Sequence, residues 1–277
     1  FDAAGPKARV RNNILAVVTV LVVAGVLAFI AVQFAQSGQF EARKWKLFTA
    51  PLVLEQLGQA TLTTLKAFAL AAVLSLALGF LLALGRLSDH AWIRIPVVWF
   101  VELFRAIPLL ILMMIFYYGL PPLGVTWMTP YWAVVIGLTL YNGSVLSEVF
   151  RAGVVSLPKG QAEAAYAVGM RKGQVMVSIL LPQAVKAMLP AIIAQLVVIL
   201  KDTALGFIIT YTELLYFAKL MGTQVNYGSP MIPAAIVAAV IYIGMCLILS
   251  GLAKFAEHRI NKEPKVVKAK EVIALEN

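Results

Sequence analysis

The chain has 277 residues, 61% of them hydrophobic and only 13% charged, with a mean hydropathy of +0.89. An ordinary soluble domain carries roughly 25% charged residues, so this chain is short of the charge needed to cover a water-facing surface. Several runs of about 20 apolar residues, each enough to cross a hydrocarbon core of about 30 Å, make it an all-α polytopic membrane protein. The net charge of +10 does not point to nucleic acid, because its placement follows the positive-inside bias of membrane loops. The one cysteine, Cys246, has no partner for an intrachain disulfide.

In chain order, residues 1–13 carry Lys7, Arg9 and Arg11 and precede an extra span over 14–34. That span is longer than the 7–15 apolar residues of a signal peptide, so it is read as a retained helix. Gln33 to Pro51 is mixed polar, with Arg43, Lys44 and Lys46. Leu57–Leu84 is the second span, followed by the polar turn Arg86–His90. Arg94–Gly119 is the third, interrupted by Pro108, and Tyr131–Arg151 the fourth. A polar island over 156–182 follows. Met188–Ile209 is the fifth span and carries Lys201-Asp202 near its far end. Thr212–Gly222 reads as a short amphipathic helix with Thr212 as N-cap, Met231–Phe255 as the sixth span, and 260–277 as a basic tail.

Lysine and arginine counts put the segment before the first span, the Arg86–Arg94 turn, the island and the tail on one side, expected to be the cytoplasm. The loop with Arg43, Lys44 and Lys46 breaks that trend.

The island is the most informative stretch. Ser156 and Pro158 suit a helix start, and Lys159–Val168 reads as one short helix. Gly169 can take the left-handed conformation that ends it, and Arg171–Leu181 reads as a second helix, with Pro182 leading into the next span. From spacing alone, the island is either a surface offered to a soluble partner or an interfacial linker lying on lipid.

Glu163-Ala164-Ala165, three residues, Gly169, nine residues, Ile179, one residue, Leu181-Pro182 resembles the signature of bacterial ABC importer permeases at every fixed position. The flanks are similar to the polar amino acid subfamily in the same order. They include Glu102-Leu103-Phe104-Arg105-Ala106-Ile107-Pro108-Leu109, Ser147-Glu148-Val149-Phe150-Arg151-Ala152-Gly153, Leu157-Pro158-Lys159-Gly160-Gln161 and Leu200-Lys201-Asp202-Thr203-Ala204-Leu205. The likeness covers 57–259. It implies a five-helix type I importer core, about six transmembrane helices with the extra N-terminal one, and a cytoplasmic coupling loop at 156–182. Where the subfamily has Gly-Thr before proline, this chain has Ala106-Ile107, which removes a hydroxyl and narrows the space.

The resemblance further implies a multi-pass permease in the bacterial plasma (inner) membrane with both termini cytoplasmic. Lys159, Gln161, Glu163, Ala164, Ala165, Gly169 and Arg171 would engage separate ATP-binding cassette subunits, which bind ATP and magnesium. This chain has no phosphate-cradling Gly-x-x-x-x-Gly-Lys-Ser/Thr loop and is expected to need no cofactor and to be no enzyme itself. A second permease chain, as homodimer or heterodimer, and an extracytoplasmic substrate-binding protein are the other expected partners. Polar amino acids, glutamate, aspartate or glutamine foremost, are the expected substrates.

Charges inside spans are expensive, about 2.5–3.5 kcal/mol each on insertion scales, and mark candidate substrate contacts. Glu102 and Arg105 are spaced i, i+3 and can pair. Ser144, Glu148 and Arg151 share one face of the fourth span. Chain direction places Arg105 and Lys201-Asp202 at similar depths. A pocket of Arg105, Ala106, Pro108, Ser144, Glu148, Lys201, Asp202 and Thr203 could then hold a zwitterion, with Arg105 on the carboxylate and Asp202 on the amine. The same charges could instead satisfy each other as structural ion pairs. An ion-coupled secondary transporter is the rival function. It often shows two corresponding halves with interrupted helices, and no internal repeat is visible here. Two histidines, His90 and His258, with no ligand or nucleophile spacing around them, speak against an intramembrane enzyme.

Overall fold

A computed structural model describes residues 5–260, and every regular element among them is helical. Eleven α-helices follow in order: α1 Pro6–Gln36, α2 Ala42–Lys46, α3 Pro51–Arg86, α4 Ala91–Ala106, α5 Leu109–Met114, α6 Pro130–Val155, α7 Lys159–Ala167, α8 Lys172–Val175, α9 Leu181–Asp202, α10 Leu214–Gly222 and α11 Met231–Ile260. Five runs are long and apolar enough to cross a membrane, or six when α4 and α5 count as one bent span. The basic tail lies outside the described residues.

The sequence expectations hold for most elements and shift at four places. The N-terminal helix begins at Pro6, ahead of the span expected from residue 14, because Pro at the first helical position and the Ala, Lys and Arg that follow all favour helix. The third span is not a straight helix with an interruption. It turns by 98° between α4 and α5, since the ring of Pro108 drives Ile107 into extended backbone at φ −82°, ψ 125°. The second island helix is not separate from the fifth span. Lys172–Ile209 runs on as one unit through a widened π turn at Met176–Leu180, which relieves the clash that Pro182 would make with the preceding turn. Finally, Glu213, not Thr212, caps α10.

The chain forms two compact units. One comprises the chain up to Gly58 with Phe217–Ala239, the other Gln59–Tyr216 with the chain from Val240. In the first unit α1 buries none of its residues. Gly228 sits at φ +70°, and a Cβ there would lie 3.0 Å from the Arg43 guanidinium and 3.2 Å from the Lys44 side chain. Of the three cations that break the loop-charge trend, Lys44 is buried, while Arg43 stays exposed beside Gly228.

In the second unit α6 is the central post. Apolar burial gives little drive to helix association in lipid, so close packing of small residues has to supply it. A Cβ on Gly79 of α3 would fall 2.7 Å from Leu146 Cβ and 3.0 Å from the Gly143 carbonyl, and one on Gly153 would fall 2.2 Å from the Met188 side chain of α9. Met113, Val134, Leu138 and Ile199 fill the interior beside these contacts.

Candidate functional site

Asn142 and Gln195 join α6 to α9 by a hydrogen bond of 2.6 Å from Gln195 Nε2 to Asn142 Oδ1. Asn142 is fully buried and also donates to the Leu138 carbonyl. Together with the Gly153–Met188 contact, this pair fixes the antiparallel register of α6 on α9. By that register Glu148 lies level with Ala191 of α9, and Asp202 lies roughly 16 Å further along that helix.

The charged residues of the spans fall into two groups along this axis. At the end nearest α7, Glu148 receives Arg86 at 2.9 Å and Arg151, its i, i+3 neighbour. Arg86 also approaches Glu102 at 3.9 Å, and Arg105 reaches the same carboxylate at 3.5 Å. Three guanidinium groups and two carboxylates thus bind the end of α3, the end of α4 and the lower part of α6. Arg86, whose side chain is only 11% exposed, is the organiser of the cluster. Its buried Nε and Nη1 have no hydrogen-bond partners among the described residues. Its position at a span boundary disguised it as a simple positive-inside charge. Ser144 is fully buried, one turn from Glu148, with a hydroxyl that likewise has no partner among the described residues. Ala106 and Pro108 are exposed beside Arg105, whose side chain is 39% exposed.

At the far end Lys201 is exposed, Asp202 partly buried and Thr203 fully buried, with its hydroxyl donating to the Leu200 carbonyl. The expectation that Arg105 and Lys201-Asp202 share one depth is therefore not met. The bend at Pro108 keeps α4 beside the end of α3 instead of carrying Arg105 towards the middle of the bundle. Arg105, in the cluster around Glu102 and Arg86, and Asp202, roughly 16 Å beyond the level of Glu148, belong to different levels of the bundle.

The island residues form a second site. In α7, Ala165 is buried against the bundle while Lys159, Glu163, Ala164, Tyr166 and Val168 are exposed, and Gln161 is half-buried. Exposed Tyr166 and Val168 around Ala164 make a small apolar surface flanked by the Glu163 carboxylate. Ser156 does not cap this helix; its hydroxyl turns back to the Gly153 carbonyl, which leaves Pro158 as the cap residue. Gly169 ends α7 at φ +84°, the left-handed conformation where a side chain would be strained. The Arg171 amide donates to Gln174 Oε1, which starts α8.

Lys172, beside Arg171, is the residue that anchors the island to the spans. It pairs with Asp89 in the turn after α3 and donates to the Leu87 carbonyl at 3.3 Å. The hydrogen bond from Lys172 holds the Asp89 carboxyl below the usual carboxylate range. A cleft of about 310 Å³ opens beside this pair, lined by Leu84, Ser88, His90, Gly173 and Met176 among others.

Known proteins share the sequence pattern and the fold. The family described as binding-protein-dependent transport system inner membrane component matches residues 75–262. The glutamate transport system permease protein GluD of Corynebacterium glutamicum is 41% identical over 238 residues, covering 81% of this chain and 82% of that protein. The arginine transport system permease protein ArtQ of Bacillus subtilis is 34% identical over 215 residues, covering 76% of this chain and 93% of that protein. Among solved structures, a crystal structure of an amino acid ABC transporter with histidines superposes with a TM-score of 0.67 at 29% identity, covering 74% of this chain and 94% of that one. The inward-facing MetNI methionine ABC transporter shares the fold, with a TM-score of 0.63 at 18% identity over 77% of this chain and 100% of that one.

Proposed function

The chain belongs to the family of binding-protein-dependent transport system inner membrane components, and from that membership we propose how its two sites divide the work of an importer. It is a membrane permease subunit of an amino acid ABC transporter. Acidic amino acids or their amides are the substrates favoured here, because the glutamate permease of C. glutamicum is 41% identical.

The exposed face of α7, ended by Gly169, is the docking surface for a separate ATPase subunit. The observation that carries this reading is the chemistry of that face: small Ala164, apolar Tyr166 and Val168, and one directed carboxylate at Glu163, all uncovered. Movement imposed there reaches the spans by two routes. One is covalent, through α8 into α9; the other is the Lys172–Asp89 pair on the turn after α3. The α7 end is the cytoplasmic end, a second permease chain completes the pathway, and an extracytoplasmic binding protein delivers substrate at the Asp202 end.

Arg105 in the cluster at the end of α4 and Asp202 at the far end of α9 support a reading in which substrate meets them in succession. The Lys201–Asp202 end engages the amine first, and the Arg86–Arg105 end receives the carboxylate later. The test is to co-purify the chain with the products of neighbouring genes and assay ATP-driven uptake of radiolabelled L-glutamate in proteoliposomes. Arg105→Ala and Asp202→Ala are each expected to reduce uptake at least about tenfold with the complex still assembled. Uptake driven by an ion gradient without ATP would return the chain to the secondary-transporter reading.

A further inference from the structure

Glu213 is a fully buried carboxylate that the transport reading leaves unused. It follows a seven-residue 3₁₀ stretch, Thr203–Ile209, that begins directly after Asp202. Such a run is long for a 3₁₀ helix, whose hydrogen-bond geometry is poor, and it ends with Thr210 at φ +64°. The backbone of this segment does little to fix itself, so outside contacts must fix it.

Those contacts converge on Glu213. Its Oε2 accepts the Leu215 N–H at 2.8 Å and its Oε1 accepts the Tyr216 N–H at 2.7 Å, which caps α10. Oε2 also accepts the hydroxyl of Tyr242 from α11. The Tyr242 hydroxyl is flanked by the side chains of Thr203, next to Asp202, and Thr64 of α3. Thr64 Oγ1 accepts the Leu214 N–H at 3.1 Å, and the Tyr211 hydroxyl donates to the Thr63 carbonyl at 2.8 Å. One carboxylate therefore joins α3, α11, the start of α10 and the segment behind Asp202. A helix cap needs only the two amides. The bond from Tyr242 goes beyond capping and ties the cap to the Asp202 side.

We propose that Glu213 and Tyr242 are positioning residues for transport, whose hydrogen bond holds Thr203–Tyr211, and with it Asp202, in place against α3 and α11. The proposal rests on the reading that Asp202 meets substrate. A change that loosens this segment leaves the α7 surface untouched, so ATP is still hydrolysed while fewer substrate molecules cross per turnover.

Tyr242→Phe is the discriminating variant, because it removes one phenol oxygen and leaves both cap amides bound. Glu213→Gln is the second variant; it keeps an acceptor for the cap but cannot receive the Tyr242 bond at the same strength. Both are assayed in the assembled complex with its ATPase and binding protein, by amide hydrogen exchange and by L-glutamate uptake per ATP hydrolysed. The expected result for Tyr242→Phe is exchange about tenfold faster across 203–211 with 214–222 unchanged. Stimulated ATPase stays within about twofold, and uptake per ATP falls at least about fivefold. Glu213→Gln should move in the same direction. Unchanged exchange over 203–211, a parallel fall of ATPase and uptake, or loss of assembly in both variants would overturn the proposal and leave Glu213 a cap. A wild-type complex that hydrolyses ATP yet carries no amino acid would instead sink the transport reading beneath it.

Discussion

Asn142 of α6 and Gln195 of α9 meet side chain to side chain at 2.6 Å, and with the Gly153–Met188 contact this bond sets the register of the two helices that carry Glu148 and Asp202. In an apolar bundle such a pair specifies register better than interchangeable aliphatic contacts do, because a shift by one turn leaves the Asn142 oxygen and the Gln195 amide nitrogen without each other. Interhelical hydrogen bonds in membranes average about 0.6 kcal/mol, whereas a buried polar group left without a partner costs about 1–3 kcal/mol. Asn142→Ala should therefore lower stability by about 1–2 kcal/mol in thermal unfolding of the detergent-solubilised protein. Asn142→Leu combined with Gln195→Leu should recover much of that loss. If the double variant is as unstable as the sum of the single ones, the pair is not coupled.

The Asp89–Lys172 bridge makes a pH-dependent prediction. The Asp89 carboxyl is held below the usual range, foremost by its hydrogen bond from Lys172. A depressed carboxylate adds stability above its unfolded-state pKa, and that contribution fades as pH falls through the lowered folded-state value. Wild type and Asp89→Asn should thus differ near neutrality, in protection of 87–90 and 170–175 from hydrogen exchange, and converge in acid. A difference that persists in acid would show that the contact does not depend on the charge.

Gly79 permits α3 and α6 to touch. Its missing Cβ would fall 2.7 Å from Leu146 Cβ and 3.0 Å from the Gly143 carbonyl, and backbone cannot step aside as a flexible side chain can. Gly79→Ala should cost about 1–3 kcal/mol as overpacking, against near neutrality for Gly244→Ala, where nothing lies within 4 Å. Equal melting temperatures for the two variants would mean that α3 moves away freely.

Glu163→Arg and Gly169→Val separate docking from translocation. The first reverses the directed charge on exposed α7. The second forces a β-branched residue to φ +84°, a strain of about 1–2 kcal/mol or more. Each should lower stimulation of the partner ATPase at least about fivefold without changing the affinity of the binding protein for amino acid. Full stimulation in both would remove α7 from the coupling path.

The sequence by itself determined the class, the approximate number of spans, the family and the position of the polar island proposed for coupling. Span length, loop charge and the Glu163–Gly169 signature are local properties, set by the bilayer thickness and by fixed residue spacing. Gly169 likewise reads locally, because a left-handed helix end has a strong residue preference. What only the tertiary structure decided was which distant residues share a level. Pro108 announced an interruption, but not a 98° turn that holds Arg105 beside Arg86. Arg86 looked like one more loop cation until Glu102 and Glu148, from other helices, converged on it. Glu213 is the only acid between Asp202 and Glu257, yet its partner Tyr242 is 29 residues away, and no local pattern connects them. Helix register in a bundle is a relation between elements, fixed by contacts such as Asn142–Gln195 and Gly79–Leu146. Those contacts arise from glycines and amides whose meaning depends on what stands opposite.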